Sequence, residues 1–383
     1  MRGHIVQRSK GTYSIKISLG KDPTTGKYKS QWFTVQGSKK DAEKRLSELL
    51  HQLDTGSYMK PGKTTVADYL QKWLSDYAKP NLSPRTIEGY EHIIKHYVIP
   101  NLGNHTLVHL KPEHLQHFYS AELTAGLSAQ TVRHHHMVIH KALDSAVEWG
   151  LIIRNAADAV RPPKAQRIEM QTWSENEIVQ FLEAAKTIPY YELFYLALFT
   201  GMRRSELLAL RWQDIDFIYS QIYVSRSLHV LKGSKVVFMS PKTATGRRTI
   251  ALSPSAILLL KDYREKMETE SLLLGKPVAD SDLVFSTLGK HLLPNTVTHA
   301  WSKLVNHIGL KAIRLHDARH THASIMLKQG IHPKIVQERL GHSSIQITLD
   351  TYSHVAPGLQ EAAANRFDDI LRIKDNKNTV GKV

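Results

Sequence analysis

Cysteine is absent from the 383 residues of this chain. Its absence excludes a disulfide framework, a thiolate nucleophile and a zinc site with cysteine ligands. Disulfides form mainly in oxidising compartments, so a chain without cysteine suits a reducing cytosol. We therefore expect a cytoplasmic protein whose chemistry depends on other side chains.

Long apolar runs are also missing. No stretch reaches the roughly 18 consecutive apolar residues that mark a membrane-spanning helix, and the chain starts with the polar sequence Met1-Arg2-Gly3-His4. We expect neither a membrane span nor a secretory signal. A glycine loop with its phosphate-binding lysine and an acidic metal cluster are not found either, so we expect a reaction that needs no cofactor and no metal ion.

Acidic residues are too few to balance the basic ones. The chain has 51 Lys and Arg against 35 Asp and Glu, which gives a formal net charge of +16. A surplus of this size is typical of proteins that bind nucleic acid, although a soluble protein can be basic without such a partner. The length predicts two or three domains.

Residues 1–55 predict a small three-stranded sheet followed by one helix. Apolar and polar side chains alternate over 13–19, strand-like sequence resumes over 28–35, and Ser38 is placed to cap a helix over 39–53. This segment carries 11 Lys and Arg against 5 Asp and Glu. We interpret it as a separate DNA-contacting unit; the alternative is a capping subdomain with a solvated basic face.

Residues 56–63 are interpreted as a linker, and residues 64–163 predict an all-helical domain. Ser83 is a candidate N-cap with Pro84 at the first helical position. The run His134-His135-His136 is expected on a solvated or DNA-facing surface, because three consecutive helical positions cannot share one metal-ligand face.

Residues 168–373 predict a mainly helical domain with a β insert over 215–237 and a further strand over 248–252. Residues 374–383 form a polar tail that we expect to be disordered.

Four segments of this last domain concentrate reactive side chains near the predicted ends of helices and strands. They are Thr-Gly-Met-Arg-Arg-Ser-Glu at 200–206, Pro-Lys-Thr at 241–243 with Arg247 and Arg248 after it, Leu-His-Asp-Ala-Arg-His-Thr-His at 315–322, and Leu-Gly-His at 340–342 with Thr-Tyr-Ser-His at 351–354. Such positions favour functional groups over core packing.

These side chains suit phosphoryl transfer at a phosphodiester. Guanidinium groups bind two phosphate oxygens at once. A phenol has a reference pKa of about 10 and needs a base or a cationic field to become a nucleophile. A lysine can protonate a leaving oxygen.

In this order and spacing the four motifs resemble the phage and conjugative-element integrases of the tyrosine recombinase family. The resemblance implies a mainly α fold with small β elements. Its parts are an N-terminal three-stranded sheet plus helix that binds arm sites (1–55), a helical core-binding domain (64–163) and an α+β catalytic domain with a C-terminal tail (168–373).

The resemblance also implies six catalytic residues and one supporting acid: Arg203, Lys242, His316, Arg319, His342 and Tyr352, with Glu206. Arg203 and Arg319 would clamp the scissile phosphate, and Tyr352 would form a 3′-phosphotyrosine bond. Lys242 would act as the general acid, with Lys232 and Lys235 as alternatives. Arg204 is the alternative to Arg203, but neighbouring helical residues point about 100° apart, so only one can face the phosphate.

Further DNA contacts are expected at Lys16, Lys27, Lys29, Trp32, Arg85, Thr86, Arg133 and Arg247. The implied partner is double-stranded DNA at core and arm attachment sites, bound by a homotetramer, with an excisionase and a host DNA-bending protein as further candidates. The implied role is integration or excision of a mobile element, such as a prophage, in the nucleoid of a bacterial cell. The alternatives are a tyrosine-dependent topoisomerase and a catalytically silent DNA-binding protein.

Overall fold

The chain divides into two structural units, Met1–Arg167 and Ile168–Val383, in a computed structural model. The structure describes residues 3–21, 26–54, 62–165, 170–241, 244–273, 275–287, 289–352, 364–365 and 367–368. The predicted mainly α fold with small β elements is confirmed, including the N-terminal three-stranded sheet. Within the described ranges, no helix combines the length and the apolar character that crossing a membrane requires.

The N-terminal sheet is antiparallel and has the strand order β1-β2-β3. Its strands are β1 Gly3–Ser9, β2 Thr12–Lys21 and β3 Tyr28–Gln36, followed by helix α1 Lys39–Asp54. Ile15 and Ile17 of β2 are fully buried against Leu49 of α1. The hydroxyl and backbone N–H of Ser38 donate to Oδ2 of Asp41 at 2.7 and 2.8 Å, which fixes the start of α1.

The rest of the first unit is helical. Its helices are α2 Val66–Trp73, α3 Lys79–Asn81, α4 Pro84–Ile93, α5 Ile99–Leu102, α6 Pro112–Thr124 and α7 Ala129–Glu148, with π-helical turns at Leu74–Ala78 and Ile94–Val98. Pro84 begins α4 as predicted, with Ser83 in the N-cap position. The Ser83 hydroxyl, however, lies 2.8 Å from the Thr86 hydroxyl and makes no side-chain cap to the described backbone N–H groups.

The expectation that His134-His135-His136 lies on the surface is wrong for His135. His134 is exposed, but His135 is 2% exposed, with its Nδ1 2.7 Å from Oε1 of Glu122 in α6. The physical reason is the helical rotation of about 100° per residue, which turns one of three consecutive side chains toward the core.

Glu122 behaves as a neutral acid in this pair. Burial raises its pKa to about 7. Burial, and then the charge of His92, lowers the pKa of His135. The second carboxyl oxygen of Glu122 has no hydrogen-bond partner among the residues that the structure describes. A carboxylate would be costly to bury in that way, so the protonated form is favoured.

The second unit encloses its own apolar core. Its helices are α8 Glu175–Ala185, α9 Tyr191–Thr200, α10 Arg204–Leu207, α11 Pro254–Leu273, α12 Pro294–His307, α13 Asp317–Lys328, α14 Pro333–Leu340 and α15 Ile345–Tyr352. Its strands are β4 Ile215–Asp216, β5 Gln221–Val224, β6 Ser227–Leu231, β7 Lys235–Met239, β8 Arg248–Ala251, β9 Ser286–Thr287 and β10 Lys290–His291. The Trp301 ring packs on Trp173, Phe181 and Phe194, with ring centroids 4.3–5.1 Å apart.

Short strands of the second unit form three small antiparallel sheets. Strands β4, β5 and β8 make one sheet, β6 and β7 make a hairpin, and β9 pairs with β10. The β insert and the strand at 248–252 were predicted, whereas α11 and α12 were not.

We predict that Glu122→Gln changes the pH dependence of unfolding. The unfolded chain releases the Glu122 proton near the ordinary value of 4.5, but the folded protein retains it up to about pH 7. The wild type therefore loses stability as the pH rises through this window, and glutamine has no proton to lose. Urea unfolding should show that the variant gains on the order of 1–3 kcal/mol relative to wild type between pH 5 and pH 8.

Glu113→Gln is the matched control, because Glu113 lies on the same helix with a side chain 68% exposed. Glu113→Gln leaves the contact between Glu122 and His135 in place. Parallel pH profiles for wild type and Glu122→Gln would show that the Glu122 carboxyl is ionised in the folded protein.

Candidate active site

Arg203 lies in a sharp turn between two helices. Helix α9 ends at Gly201, whose φ of 65° is left-handed, and Arg203 is the N-cap residue of α10. Its Nη1 donates to Oε1 of Glu206 at 2.7 Å and its backbone N–H donates to Oε2 at 2.8 Å. The side chain is 38% exposed, so the guanidinium is fixed on one side and accessible on the other.

The neighbouring Arg204 points elsewhere. Its Nη1 donates to the carbonyl oxygen of Pro294 at 3.2 Å and to the hydroxyl of Thr298. Both acceptors belong to α12. Arg204 is thus a helix-packing residue in this structure, and only Arg203 faces Glu206.

Glu206 is a buried carboxylate between two guanidinium groups. Besides Arg203, it accepts from Nη1 and Nη2 of Arg248 at 3.1 and 2.8 Å. Burial alone would raise the pKa of Glu206, but the hydrogen bonds and charge of Arg248, followed by the charge of Arg203, outweigh it and lower the pKa to about 2. Glu206 therefore stays ionised at any working pH.

Arg319 is 3% exposed on α13 and joins the ends of two helices. Its Nη1 donates to the carbonyl oxygen of Gly201 at 2.9 Å and its Nη2 to that of Leu340 at 2.7 Å. His316 is the N-cap residue of the same helix and is exposed. Desolvation, and then the charge of Arg319, lowers the pKa of His316.

The C-terminal end of α14 is where the arginines meet. Helix ends leave carbonyl oxygens without an intrahelical donor. Here Nε of Arg248 donates to the oxygen of Arg339 at 2.7 Å, Arg319 to that of Leu340, and Nη2 of Arg203 to that of Gly341 at 3.4 Å. Three successive carbonyls thus bind guanidinium groups from three distant segments.

His342 follows this helix end directly. It is 9% exposed, and its Nδ1 lies 2.9 Å from the hydroxyl of Thr348. Burial, followed by the charges of Arg319 and Arg203, lowers its pKa to about 3. The imidazole is therefore neutral at physiological pH.

The structure thus brings together Arg203, Arg319 and His342 around the end of α14, with Glu206 beneath Arg203. His316 is close enough that the charges of Arg319 and Arg203 both lower its pKa. A pocket that collects guanidinium and neutral imidazole groups is suited to bind a phosphate diester.

Two predicted catalytic side chains cannot be placed in this way. Lys242 lies outside the described residues. Tyr352 is the last residue of α15, and its side chain also lies outside the described part. The backbone puts Tyr352 ten residues beyond His342 on the helix that follows the arginine cluster.

Most of the expected DNA contacts are exposed, whereas Lys16 and Thr86 are half-buried. In the N-terminal sheet, Lys16 pairs across the strands with Trp32, and Nζ of Lys16 lies 5.5 Å from the indole centroid. The Trp32 side chain is 47% exposed. The other exposed candidates are Lys27, Lys29, Arg85, Arg133 and Arg247.

Sequence reasoning missed the structural role of Arg248 and Arg339. Arg248 was recognised in its motif but was given no site role, although it is 7% exposed. The alternation of side chains along a strand could have indicated the burial of Arg248, because Arg248 lies on the same strand face as the buried Ile250. Arg247 lies on the opposite, exposed side. Arg339 donates to Nε2 of His322 at 3.0 Å and to the carbonyl oxygen of Phe199 at 3.0 Å, contacts that no local pattern indicates.

Comparisons with known proteins identify the family of this chain. The profile of the phage integrase family matches residues 171–358, and that of the phage integrase N-terminal SAM-like domain matches residues 65–123. A tyrosine recombinase XerC-like protein of Caldanaerobacter subterraneus subsp. tengcongensis is 27% identical, covering 96% of this chain and 98% of the relative. The ICEBs1 integrase of Bacillus subtilis is 26% identical, covering 94% and 98%.

Solved structures show the same fold. The Tn1549 transposon integrase in complex with a circular intermediate DNA aligns with a TM-score of 0.69 at 21% identity, over 80% of this chain and 100% of that one. A lambda integrase tetramer bound to a Holliday junction aligns with a TM-score of 0.56 at 21% identity, over 89% and 95%. The chain shares its fold with these integrases. The chain belongs to the phage integrase family of tyrosine recombinases.

We predict that Gly341→Ala disrupts the end of α14. Gly341 has a φ of 68°, and an added Cβ would lie 2.9 Å from Cδ of Arg248 and 3.0 Å from the carbonyl oxygen of Thr245. Backbone strain of this kind costs about 1–3 kcal/mol, and the clash displaces Arg248 as well. Thermal unfolding should show the destabilisation, and DNA cleavage should slow in the fraction that remains folded.

Gly330→Ala separates the strain from the clash. Gly330 follows α13 with a φ of 77°, and no described atom would meet its Cβ within 4 Å. This control should lose stability without losing the cleavage rate of the folded protein. Equal effects of both substitutions on cleavage would contradict the prediction.

Proposed function

We propose that this chain is a site-specific DNA recombinase that cleaves and rejoins DNA strands through a 3′-phosphotyrosine bond at Tyr352. The observation that carries the proposal is the convergence of Arg203, Arg319 and His342 at the end of α14, on the segment that leads into α15 and Tyr352. Family membership supports the reaction class.

Arg203 and Arg319 would bind the scissile phosphate. A guanidinium carries five N–H donors, so Arg203 can hold Glu206 and the carbonyl of Gly341 and still direct other N–H groups toward an anion. The charge that develops on the non-bridging oxygens in the transition state would be stabilised by donors already fixed in place.

Neutral imidazoles would complete the phosphate pocket. Nδ1 of His342 is engaged by Thr348, so the tautomer protonated at Nε2 would donate from that nitrogen to a phosphate oxygen. The exposed His316 would form a further hydrogen bond to the phosphate and assist proton transfer.

The covalent step would exchange one phosphodiester for another. The phenolic oxygen of Tyr352 would pass its proton to His316 and attack phosphorus, which breaks the bond from phosphorus to the 5′-oxygen. Lys242 would protonate that departing 5′-oxygen. Since the phosphotyrosine bond conserves the energy of the cleaved bond, the reverse attack by a 5′-hydroxyl would rejoin the strands without ATP.

The other regions would recognise the DNA. We propose that residues 1–55 bind arm sites with Lys16, Lys27, Lys29 and Trp32, because a sheet can enter a major groove. Residues 64–163, joined to them by the linker 56–63, would bind the core site with Arg85, Thr86 and Arg133. Arg247 would contact DNA from the catalytic domain over 168–373.

The assembly and the biological role are proposed from the membership of the chain in the phage integrase family. A homotetramer would act on paired core and arm sites of double-stranded DNA in the bacterial nucleoid and would integrate or excise a mobile element such as a prophage. An excisionase and a host DNA-bending protein are the accessory partners we propose. Neither a topoisomerase nor a silent DNA-binding protein gains support from the family match or from the relatives.

Tyr352→Phe tests the nucleophile. Removing the phenolic oxygen should abolish the covalent protein–DNA adduct on a nicked suicide substrate, while the affinity for the same DNA stays near that of the wild type. The adduct is measured by denaturing gel electrophoresis. An adduct formed by the variant would show that Tyr352 is not the attacking residue.

Arg203→Met and Arg204→Met test the phosphate clamp with adjacent residues. Loss of Arg203 should slow adduct formation by about 100-fold to 1,000-fold, the usual effect of removing one transition-state donor. Arg204→Met removes contacts to α12 only, and should lower the unfolding temperature but leave the cleavage rate of the folded protein close to wild type. If Arg204→Met instead slowed adduct formation more than Arg203→Met, Arg204 and not Arg203 would be the arginine that binds the phosphate.

A further inference from the structure

Arg248 is not one of the predicted catalytic residues, but its side chain forms hydrogen bonds to two parts of the site. Its guanidinium binds both oxygens of Glu206, and its Nε donates to the carbonyl oxygen of Arg339. It therefore joins strand β8, the short helix that carries Glu206 and the end of α14. Strand β8 follows the segment of Lys242, and the end of α14 precedes His342.

The contacts around Arg248 are tight. Its side chain is 5% exposed, so it is shielded from solvent. An ideal Cβ at Gly341 would lie 2.9 Å from Cδ and 3.1 Å from Nη1 of Arg248, so these two residues already pack as closely as a glycine allows. A change at Arg248 must therefore be transmitted to the turn that holds His342.

Arg248 also affects Arg203, through the charge of Glu206. Glu206 lies between Arg248 and Arg203 and accepts from both. Arg248 neutralises the carboxylate, which leaves the charge of Arg203 available to an anion. Without Arg248, the single negative charge of Glu206 would be balanced by Arg203 alone, and the attraction of Arg203 for a phosphate would fall.

We infer that Arg248 is a positioning residue for strand cleavage: it holds Glu206 and the end of α14 so that Arg203 and His342 face the scissile phosphate together. The inference rests on the proposed function. Arg248 is buried and would touch neither DNA nor the reacting atoms, so it should affect the rate of cleavage and not the affinity for DNA.

The test uses the full-length protein with Arg248→Met and Arg248→Lys. Single-turnover adduct formation on a nicked suicide substrate is measured at saturating protein, and the Kd for the same DNA is measured separately. We expect a loss of rate of 100-fold or more for Arg248→Met and about tenfold for Arg248→Lys, with Kd within threefold of wild type for both. Lysine keeps the charge but cannot hold Glu206 and the carbonyl of Arg339 at once.

Arg211→Met is the matched control for stability. Arg211 also binds a buried carboxylate through two N–H groups, with Nε and Nη2 donating to Asp214 at 3.0 and 2.9 Å. The structure describes no hydrogen bond from its side chain to a proposed catalytic residue. At matched temperatures below unfolding, this variant should cleave within threefold of the wild-type rate. An equal loss of rate in Arg211→Met and Arg248→Met would reduce Arg248 to a stabilising residue and overturn the inference.

The remaining outcomes separate the inference from the proposed function. If Arg248→Met fails to fold, Arg248→Lys decides, and a wild-type rate in that variant overturns the inference. Tyr352→Phe is measured in parallel. An adduct that does not depend on Tyr352 would overturn the proposed function together with the inference, whereas wild-type rates for the Arg248 variants with the Tyr352 dependence intact would overturn the inference alone.

Discussion

The site depends on one physical requirement: the carbonyl oxygens at the end of α14 need donors that the helix itself cannot supply. Arginines from three other segments provide them, at Arg339, Leu340 and Gly341 in succession. Each of these bonds satisfies a backbone group and at the same time fixes a guanidinium in space. The hydrogen bonds that pack the end of α14 are thus the same ones that bring the three guanidinium groups together.

Several positive charges can lie this close only because a carboxylate is placed among them. Glu206 is shared by Arg203 and Arg248, and its lowered pKa shows that the ion pairs outweigh the cost of burial. The same cationic surroundings, together with burial, lower the pKa of His342. The pocket therefore concentrates fixed charge on arginine, which does not titrate at working pH, and keeps its imidazoles neutral.

The sequence predicted the candidate site residues better than it predicted the residues that hold them in place. Gly201 and Gly341 marked helix ends. The resemblance of the four motifs to the tyrosine recombinases then selected Arg203, Arg319 and His342. Arg248 binds Glu206, 42 residues away, and the carbonyl of Arg339, 91 residues away. Arg339 binds the carbonyls of Ala251 and Phe199, 88 and 140 residues away, and no local pattern encodes these contacts. The burial of His135 was missed for a related reason, since its partner Glu122 lies on a different helix.

By itself, the sequence determined the reaction class and the mainly α fold with small β elements. Basic charge, the absence of cysteine and four motifs that combine arginine, histidine, lysine and tyrosine depend only on residue type and spacing. Tertiary structure alone decided that Arg248 shares Glu206 with Arg203, that three arginines bind the end of α14, and which histidines are buried. Those properties arise from burial and from distances between segments far apart in the chain, and both exist only after the chain has folded.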